Sequence, residues 1–429
     1  MKKIFSQCLR FLNRHKLLIF IFGIFLCELF LRFYQMDLRN PFGYDQFDNA
    51  WAAKKIVVDH YFPLVGMVAK ADSGIYIGPA YYYLISIFYW LTNLNPIASS
   101  LFAGVTSIFT FWVIFYFIKK LTNTQVAIIA VVINTFSYMA IVFDRVQWPV
   151  DFIPSMSLII FYLLYKVVTG DSKKIVWLAL AIGFMWSIHF TAIFFPIIVI
   201  LSLPFFPRNK ETLKYILISI PLFILCLMPN IIYQLSQKGA NGAFGGYLSG
   251  SYHGFHLRRV LQLTHDALIQ FNPYLTIKEG EYAKYLLFPL FFLVFLYKKI
   301  IRNNLVFCYL VLLWFVVPWF VFATYSGELS DYYFSINRFV VLLILSYFIY
   351  RIWSLKFLLV KVIVTVFLIT YCVYNLTFFL QYGNDNNLMA EEKTVNQKIN
   401  NHKYIHWQQG VPEAYIYYYL MRQKGVRVY

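Results

Sequence analysis

Two aspartates, Asp45 and Asp48, stand three residues apart in the segment NPFGYDQFDNAWAAKKIVVDH. On a helix that spacing puts both carboxylates on one face. Carboxylates beside a membrane can act as a general base or hold a divalent metal. A solvated helix N-terminus, where the dipole favours Asp, accounts for the same pair without chemistry. The segment AIVFDRVQWPVDF carries Asp144, Arg145 and Asp151 between two apolar runs. Ionisable groups that close to lipid are costly and are usually functional or paired, and an Asp144–Arg145 ion pair is the competing reading. His189 stands alone in MWSIHFTAIF, where a structural role competes with a catalytic one. Arg338 opens an apolar run after Glu328 and Asp331. Its planar fork suits a phosphate, with snorkelling to the interface as the plain alternative. Arg258 and Arg259, near His253 and His256, form a further basic cluster that can meet phosphate or anionic headgroups.

Together these are carboxylates, arginines and a histidine at a lipid boundary, the set that a reaction on a lipid-linked phosphate requires. A carboxylate activates an acceptor hydroxyl, and cations stabilise the charge on the departing phosphate. The sugar–phosphate bond supplies the energy. No Walker motif or dinucleotide fingerprint occurs in the chain.

These residues are embedded in a very apolar chain. Of 429 residues, 60% are hydrophobic and 13% charged, against about a quarter charged in a soluble domain. The 45 Phe and 35 Tyr suit packing in lipid and at its interfaces. The net charge of +18 raises the question of nucleic acid. The basic residues sit in short clusters between apolar runs, however, which makes them topology signals and excludes that class. Five scattered cysteines (Cys8, Cys27, Cys226, Cys308, Cys372) give neither a disulfide framework nor a CxxC metal site.

A membrane-crossing helix needs about 20 apolar residues. Spans are expected near 17–36, 96–118, 124–143, 152–168, 175–188, 190–206, 214–234, 284–297, 304–323, 337–350 and 357–378. With the N-terminus inside, alternation makes every inner loop basic, from Lys119–Lys120 through Lys298–Lys299 to Arg351 and Lys356. That is the positive-inside pattern. Nearly all acidic residues then lie outside, apart from Glu28, Asp171 and Glu211. Counting the 76–91 run as a span would reverse this pattern, so it is read as a helix lying in the outer interface. The expected fold is all-α, a polytopic bundle of about eleven spans in a module covering 1–378, with outer loops at 37–95 and 235–283 and a short outer tail at 379–429. The tail reads as one helix and a strand. The six glycines of 239–254 suit a mobile loop over a site or a plain connector. No internal repeat of the transporter kind is visible.

The order of these features resembles the GT-C glycosyltransferases of the protein O-mannosyltransferase type, including the lipid A aminoarabinose transferases. That family has an inner N-terminus, one span, and a long outer loop with an Asp usually followed by Glu. A Pro-containing turn then enters an aromatic helix, with a pattern near H-P-P-L-Y-Y. The matching residues here are Tyr44-Asp45-Gln46 and Gly78-Pro79-Ala80-Tyr81-Tyr82-Tyr83, followed by Lys119–Lys120, Asp144-Arg145 and Arg338-Phe339. The resemblance covers most of the first 210 residues and the 330–350 region. It implies Asp45 as the catalytic base or acceptor-orienting carboxylate, and Arg145 and Arg338 on the donor phosphate. His189 is a weaker phosphate candidate, and Asp48, Tyr82, Arg258 and Arg259 complete the candidate substrate-binding set. Gln46 stands where an acidic residue is usual, which puts a metal in question, and Gly-Pro-Ala replaces His-Pro-Pro, which leaves the acceptor class open.

The expectation is therefore a glycosyltransferase in a prokaryotic plasma (inner) membrane with its active site on the outer face. It would move a sugar from a polyprenyl phosphate to a lipid, glycan or protein. No cofactor is required beyond a possible divalent metal at Asp45 and Asp48. A flippase for lipid-linked sugars would use the same cations without a base, and a glycan polymerase or ligase would share the chemistry.

Overall fold

The computed structural model describes residues 2–68, 74–236, 249–252, 254–270, 304–325, 329, 331–381, 383, 387–401 and 411–426. The expected span 284–297, most of the Gly-rich loop, His253 and Glu328 lie outside these residues. The described chain is helical, with only three isolated bridges (Pro41–Asn387, Val68–Tyr76 and Tyr252–Tyr325) in place of strands. Helix α1 is Lys2–Phe33, α2 Met36–Arg39, α3 Tyr44–Val57, α4 Ala80–Leu91, α5 Ile97–Leu121, α6 Thr124–Phe136, α7 Tyr138–Asp144 and α8 Phe152–Val168. There follow α9 Lys174–Trp186, α10 Phe194–Ser202, α11 Lys210–Ser236, α12 Leu257–Gln270, α13 Leu305–Ala323, α14 Arg338–Trp353, α15 Leu358–Gln381, α16 Leu388–Asn400 and α17 Pro412–Gln423.

Among the described residues six helices are long and apolar enough to cross a membrane, or seven if α6 and α7 are one broken span. The expected spans 175–188 and 190–206 coincide with the shorter apolar helices Lys174–Trp186 and Phe190–Phe205. Helix α4 has 12 residues, roughly 18 Å of helix, which is short of the hydrocarbon core. The described residues of the tail hold two helices and no strand. Pro412 opens α17 at its first position, and Ala414, Tyr415, Tyr418 and Met421 form its buried face, so the aromatic run follows a helical period.

The break between α6 and α7 shows how an irregular backbone survives in this setting. The two helices bend by 71° at Ser137, whose backbone is extended. Apolar surroundings offer no water to the freed backbone groups, so protein must satisfy them. Arg32 donates to the carbonyls of Thr135 at 2.7 Å and Asn134 at 3.3 Å. The Tyr138 N–H donates to Asn375 Oδ1 at 2.9 Å, and the Ala140 N–H to Ser137 Oγ at 3.3 Å. Arg32 is completely buried and pairs with both Glu28 (3.1 Å) and Asp144 (2.7 Å). Asp144 therefore takes Arg32 as its partner rather than Arg145.

Two more arginines cap helix ends nearby. Arg145 donates to the Leu31 and Tyr34 carbonyls at 2.7 and 2.8 Å, at the end of α1. Arg39 donates to the Phe379 and Leu380 carbonyls at 2.6 and 3.0 Å, at the end of α15. The guanidinium complements both the orphan carbonyls and the negative helix end. These clamps gather α1, α6 and α15 at one end of the bundle. The sharp bend carries the 144–151 segment across that end, towards α3.

Candidate functional site

Asp45 and Asp48 sit in the first turn and a half of α3. Helix formation there starts with Gln46, whose Oε1 accepts from the Gly43 N–H at 2.9 Å and satisfies one orphan donor of the helix start. Asp48 is exposed and Asp45 half-buried, while Phe47, Asn49, Ala50 and Ala53 are buried. Burial raises the Asp45 carboxyl above its ordinary value of 3.8, and the neighbouring Asp48 carboxylate raises it further. Asp48 keeps its solvent access, yet the protein around it raises its pKa too; the Tyr82 hydroxyl and Lys55 act in the opposite sense. Tyr82 on α4 donates to Asp48 Oδ2 at 3.0 Å. Burial first, and the two aspartates second, push the Tyr82 pKa upward, so its hydroxyl stays a donor.

A second cluster is built on aromatic rings. Arg338, the first residue of α14, lies with its guanidinium carbon 3.8 Å from the Phe143 ring centroid, a cation–π contact. Phe143 packs on Trp148 (5.4 Å), Trp148 on Tyr332 (5.4 Å) and Tyr332 on His189 (5.9 Å). Trp148 Nε1 donates to Asp151 Oδ1 at 2.7 Å. A cation at a helix start opposes the dipole, whereas a cation and a helix start together favour an anion. The turn before Arg338 is fixed by Ser157, whose Oγ donates to the Ile336 carbonyl and accepts from Trp314 Nε1, each at 2.8 Å.

His189 sits in the turn between α9 and the 3₁₀ segment Phe190–Ile193. Its Nδ1 accepts from the Thr191 N–H at 3.2 Å, which puts the ring proton on Nε2. Burial lowers its pKa to about 4, so it is a neutral donor at pH 7 rather than a cation. Gly78 packs against this turn: a Cβ there would lie 2.8 Å from Ser187 Cα. The close approach explains glycine at the position where the family pattern has histidine.

The structure thus brings together Asp45, Asp48 and Tyr82 in one cluster and places Arg338 and His189 at the two ends of the Phe143–Trp148–Tyr332 ring chain. Arg145 is in neither. It is 3% exposed, and two helix-end carbonyls and the Phe379 ring at 5.4 Å occupy its guanidinium. Burial, with Arg32 and Arg39 nearby, lowers its pKa to about 9, which leaves it charged at neutral pH. Arg258 is exposed and Arg259 half-buried, on α12. That helix packs against α13 and the 331–337 turn leading into Arg338. Sequence reasoning marked Asp151 only as an ionisable group close to lipid and did not single out Trp148, Tyr332 or Gln147. Trp148 and Tyr332 lie far apart in the sequence and meet only in the fold, at 5.4 Å. No group of three or more His, Cys, Asp or Glu among the described residues is arranged to hold a metal.

The two clusters are joined. Gln46 Nε2 donates to the Gln147 carbonyl at 2.6 Å, and Gln147 Nε2 donates to the Tyr81 hydroxyl at 2.6 Å. Asp45 and Trp148 are the chain neighbours of the two bonded glutamines. Behind α3, Trp51 meets Tyr415 (5.2 Å) and Tyr418 (5.4 Å) of α17, and the Tyr415 hydroxyl donates to the Leu94 carbonyl at 3.0 Å. The tail thereby backs the helix that bears the aspartates.

The profile of the dolichyl-phosphate-mannose-protein mannosyltransferase family matches residues 77–233. The match begins after Asp45. The crystal structure of ArnT from Cupriavidus metallidurans bound to undecaprenyl phosphate is similar, with a TM-score of 0.54 at 11% identity over 95% of this chain and 76% of that one. Its apo state gives 0.56 at 11% identity with the same coverage. The Archaeoglobus fulgidus oligosaccharyltransferase, solved with Zn and sulfate, gives 0.54 at 10% identity over 94% of this chain and 57% of that one. No curated protein sequence matches the chain. The GT-C-like helical membrane fold expected from the sequence is the fold found.

Proposed function

We propose that this chain is a membrane glycosyltransferase that moves a sugar from a polyprenyl-phosphate donor to an acceptor on the outer face of a prokaryotic plasma membrane. The observation that carries the reading is the pairing of a carboxylate cluster (Asp45, Asp48, Tyr82) with a cluster able to receive a phosphate (Arg338, His189), bonded through Gln46 and Gln147. The family profile and the similarity to ArnT and to an oligosaccharyltransferase support sugar transfer. The undecaprenyl phosphate bound to ArnT supports the donor class.

In this reading Asp45 takes the proton of the acceptor hydroxyl as its oxygen bonds to the anomeric carbon. The bond from that carbon to the phosphate oxygen breaks, and the lipid phosphate leaves with the electron pair. Arg338 and the Nε2–H of His189 hydrogen-bond the developing charge. Asp48, held by Tyr82, keeps the Asp45 pKa raised, which brings the base nearer to operating pH. Arg145 is a structural clamp. A divalent metal has two carboxylates available here, Asp45 and Asp48, with Asp48 already bonded to Tyr82.

The test is release of lipid phosphate from a panel of radiolabelled polyprenyl-phosphate sugars by purified protein, with Asp45→Asn in parallel. Release by the wild type and not by the variant supports the reading. Full activity of the variant with the true donor removes Asp45 from the mechanism. No release from any donor, with lipid moved between leaflets of vesicles, supports a flippase instead.

A further inference from the structure

The strongest unassigned feature is the two-ended bonding of Gln46. Its side chain is 4% exposed and both ends are committed in ways that fix their identity. The Gly43 N–H is a donor, so the atom facing it at 2.9 Å is Oε1. The Gln147 carbonyl is an acceptor, so the atom facing it at 2.6 Å is Nε2. A glutamate of the same length keeps the first bond and loses the second, because an ionised carboxylate has no proton to donate. It would also set a negative charge against a carbonyl oxygen in a buried site. The amide is therefore the side chain that this geometry requires. The bonded carbonyl belongs to the residue before Trp148, which holds Asp151 and supports the aromatic ladder to Arg338 and His189. Gln147 in turn is anchored through Tyr81 to α4, the helix that supplies Tyr82.

We propose that Gln46 is a positioning residue: its amide fixes the distance between the Asp45 carboxylate and the Arg338 cluster, and a neutral donor at position 46 is required for transfer. The inference rests on the proposed function. It assigns to a residue outside the chemistry the task of holding base and phosphate contacts in register.

Three variants in the lipid-phosphate release assay test it. Gln46→Ala is expected to lose roughly 10- to 100-fold in kcat, the scale of a misplaced reacting group, with donor KM changed much less. Gln46→Glu is expected to behave differently. When protonated, its carboxylic acid can donate to the Gln147 carbonyl; when ionised it cannot. Its activity relative to wild type at the same pH should rise by about tenfold between about pH 8 and pH 5.5, as desolvation holds the acid's pKa above the usual 4.3 or so. The Gln46→Ala ratio should stay flat. Asp45, Asp48, Tyr81 and Asp151 are the titratable groups nearby; the ionised carboxylate of Gln46→Glu would raise the Asp45 pKa as Asp48 does, so the ratio is compared on the plateau above the acid limb of each variant's profile. A merely structural role would make each loss of activity follow a loss of folded protein, read as the melting temperature at each pH, whereas the positioning role lowers kcat in protein that stays folded. Equal profiles for the two variants, a flat Gln46→Glu ratio, or wild-type turnover by Gln46→Ala each overturns the proposal. The wild type and Asp45→Asn, run alongside, keep the questions apart: no release by the wild type refutes the proposed function, full activity of Asp45→Asn removes Asp45 as the base, and inactivity of Asp45→Asn with a normal Gln46→Ala refutes only the positioning role.

Discussion

The Nδ1 of His189 accepts a hydrogen bond from the Thr191 N–H at 3.2 Å, so the ring proton is on Nε2, and the imidazole packs edge-on to Tyr332 at 5.9 Å. Burial lowers its pKa from 6.5 to about 4. The folded protein therefore resists a proton that the unfolded chain accepts below pH 6.5 or so. Stability from this group is complete at neutral pH and declines as pH falls through that window towards 4. Melting of purified protein should move to lower temperature between about pH 6.5 and 4.5, and less so in His189→Gln. An identical pH dependence in the two proteins would count against a neutral His189.

Asp48 raises the Asp45 pKa by its charge. If Asp45 is the base, transfer falls as pH drops through its raised pKa, above the ordinary carboxylate value of 3.8. Asp48→Asn removes the charge and keeps an acceptor for the Tyr82 hydroxyl. The acid limb of the kcat/KM profile should shift to lower pH in that variant. A limb unmoved, or moved upward, refutes the coupling.

The Arg338 guanidinium carbon lies 3.8 Å from the Phe143 ring centroid. Arg338→Lys keeps the charge but loses the fork and the stacking plane. Transfer should fall by roughly 100-fold, the loss typical of one charge-stabilising donor in an active site. Phe143→Leu should show a smaller loss in the same direction. Wild-type kinetics in Arg338→Lys would show that only charge matters there.

Arg32 stands at the centre of a buried group with Glu28 and Asp144. Arg32→Met strands two carboxylates and two carbonyls. Removal of one partner from a buried pair costs about 3–5 kcal/mol, so the variant should aggregate or melt early in thermal unfolding. Arg32→Met combined with Glu28→Gln and Asp144→Asn should recover part of the loss. A single variant as stable as wild type would mean that the group contributes nothing to the fold.

Tyr415 backs the helix of Asp45 through Trp51 at 5.2 Å and donates to the Leu94 carbonyl at 3.0 Å. Tyr415→Phe removes one hydrogen bond and should cost about 1 kcal/mol. Tyr415→Ala also opens a cavity and should cost about 3 kcal/mol or more. Equal melting temperatures for the two would refute this role of the tail.

The sequence by itself determined the membrane class and the helical fold, because 60% apolar content in runs of about 20 residues permits little else. Residue type also marked Asp45, Asp48, Arg338 and His189, since charge near lipid is expensive and stands out. Residue type does not reveal what a side chain faces. Arg145 and Arg338 look alike in the sequence, yet one closes the end of α1 and the other lies over the Phe143 ring. Asp144 and Arg145 are adjacent, yet the bend at Ser137 turns Asp144 to Arg32. The protonation of His189 depends on a backbone N–H two residues on, and the meaning of Gln46 depends on a carbonyl 101 positions away. Long-range hydrogen bonds have no period and no composition, so only the tertiary structure decided them.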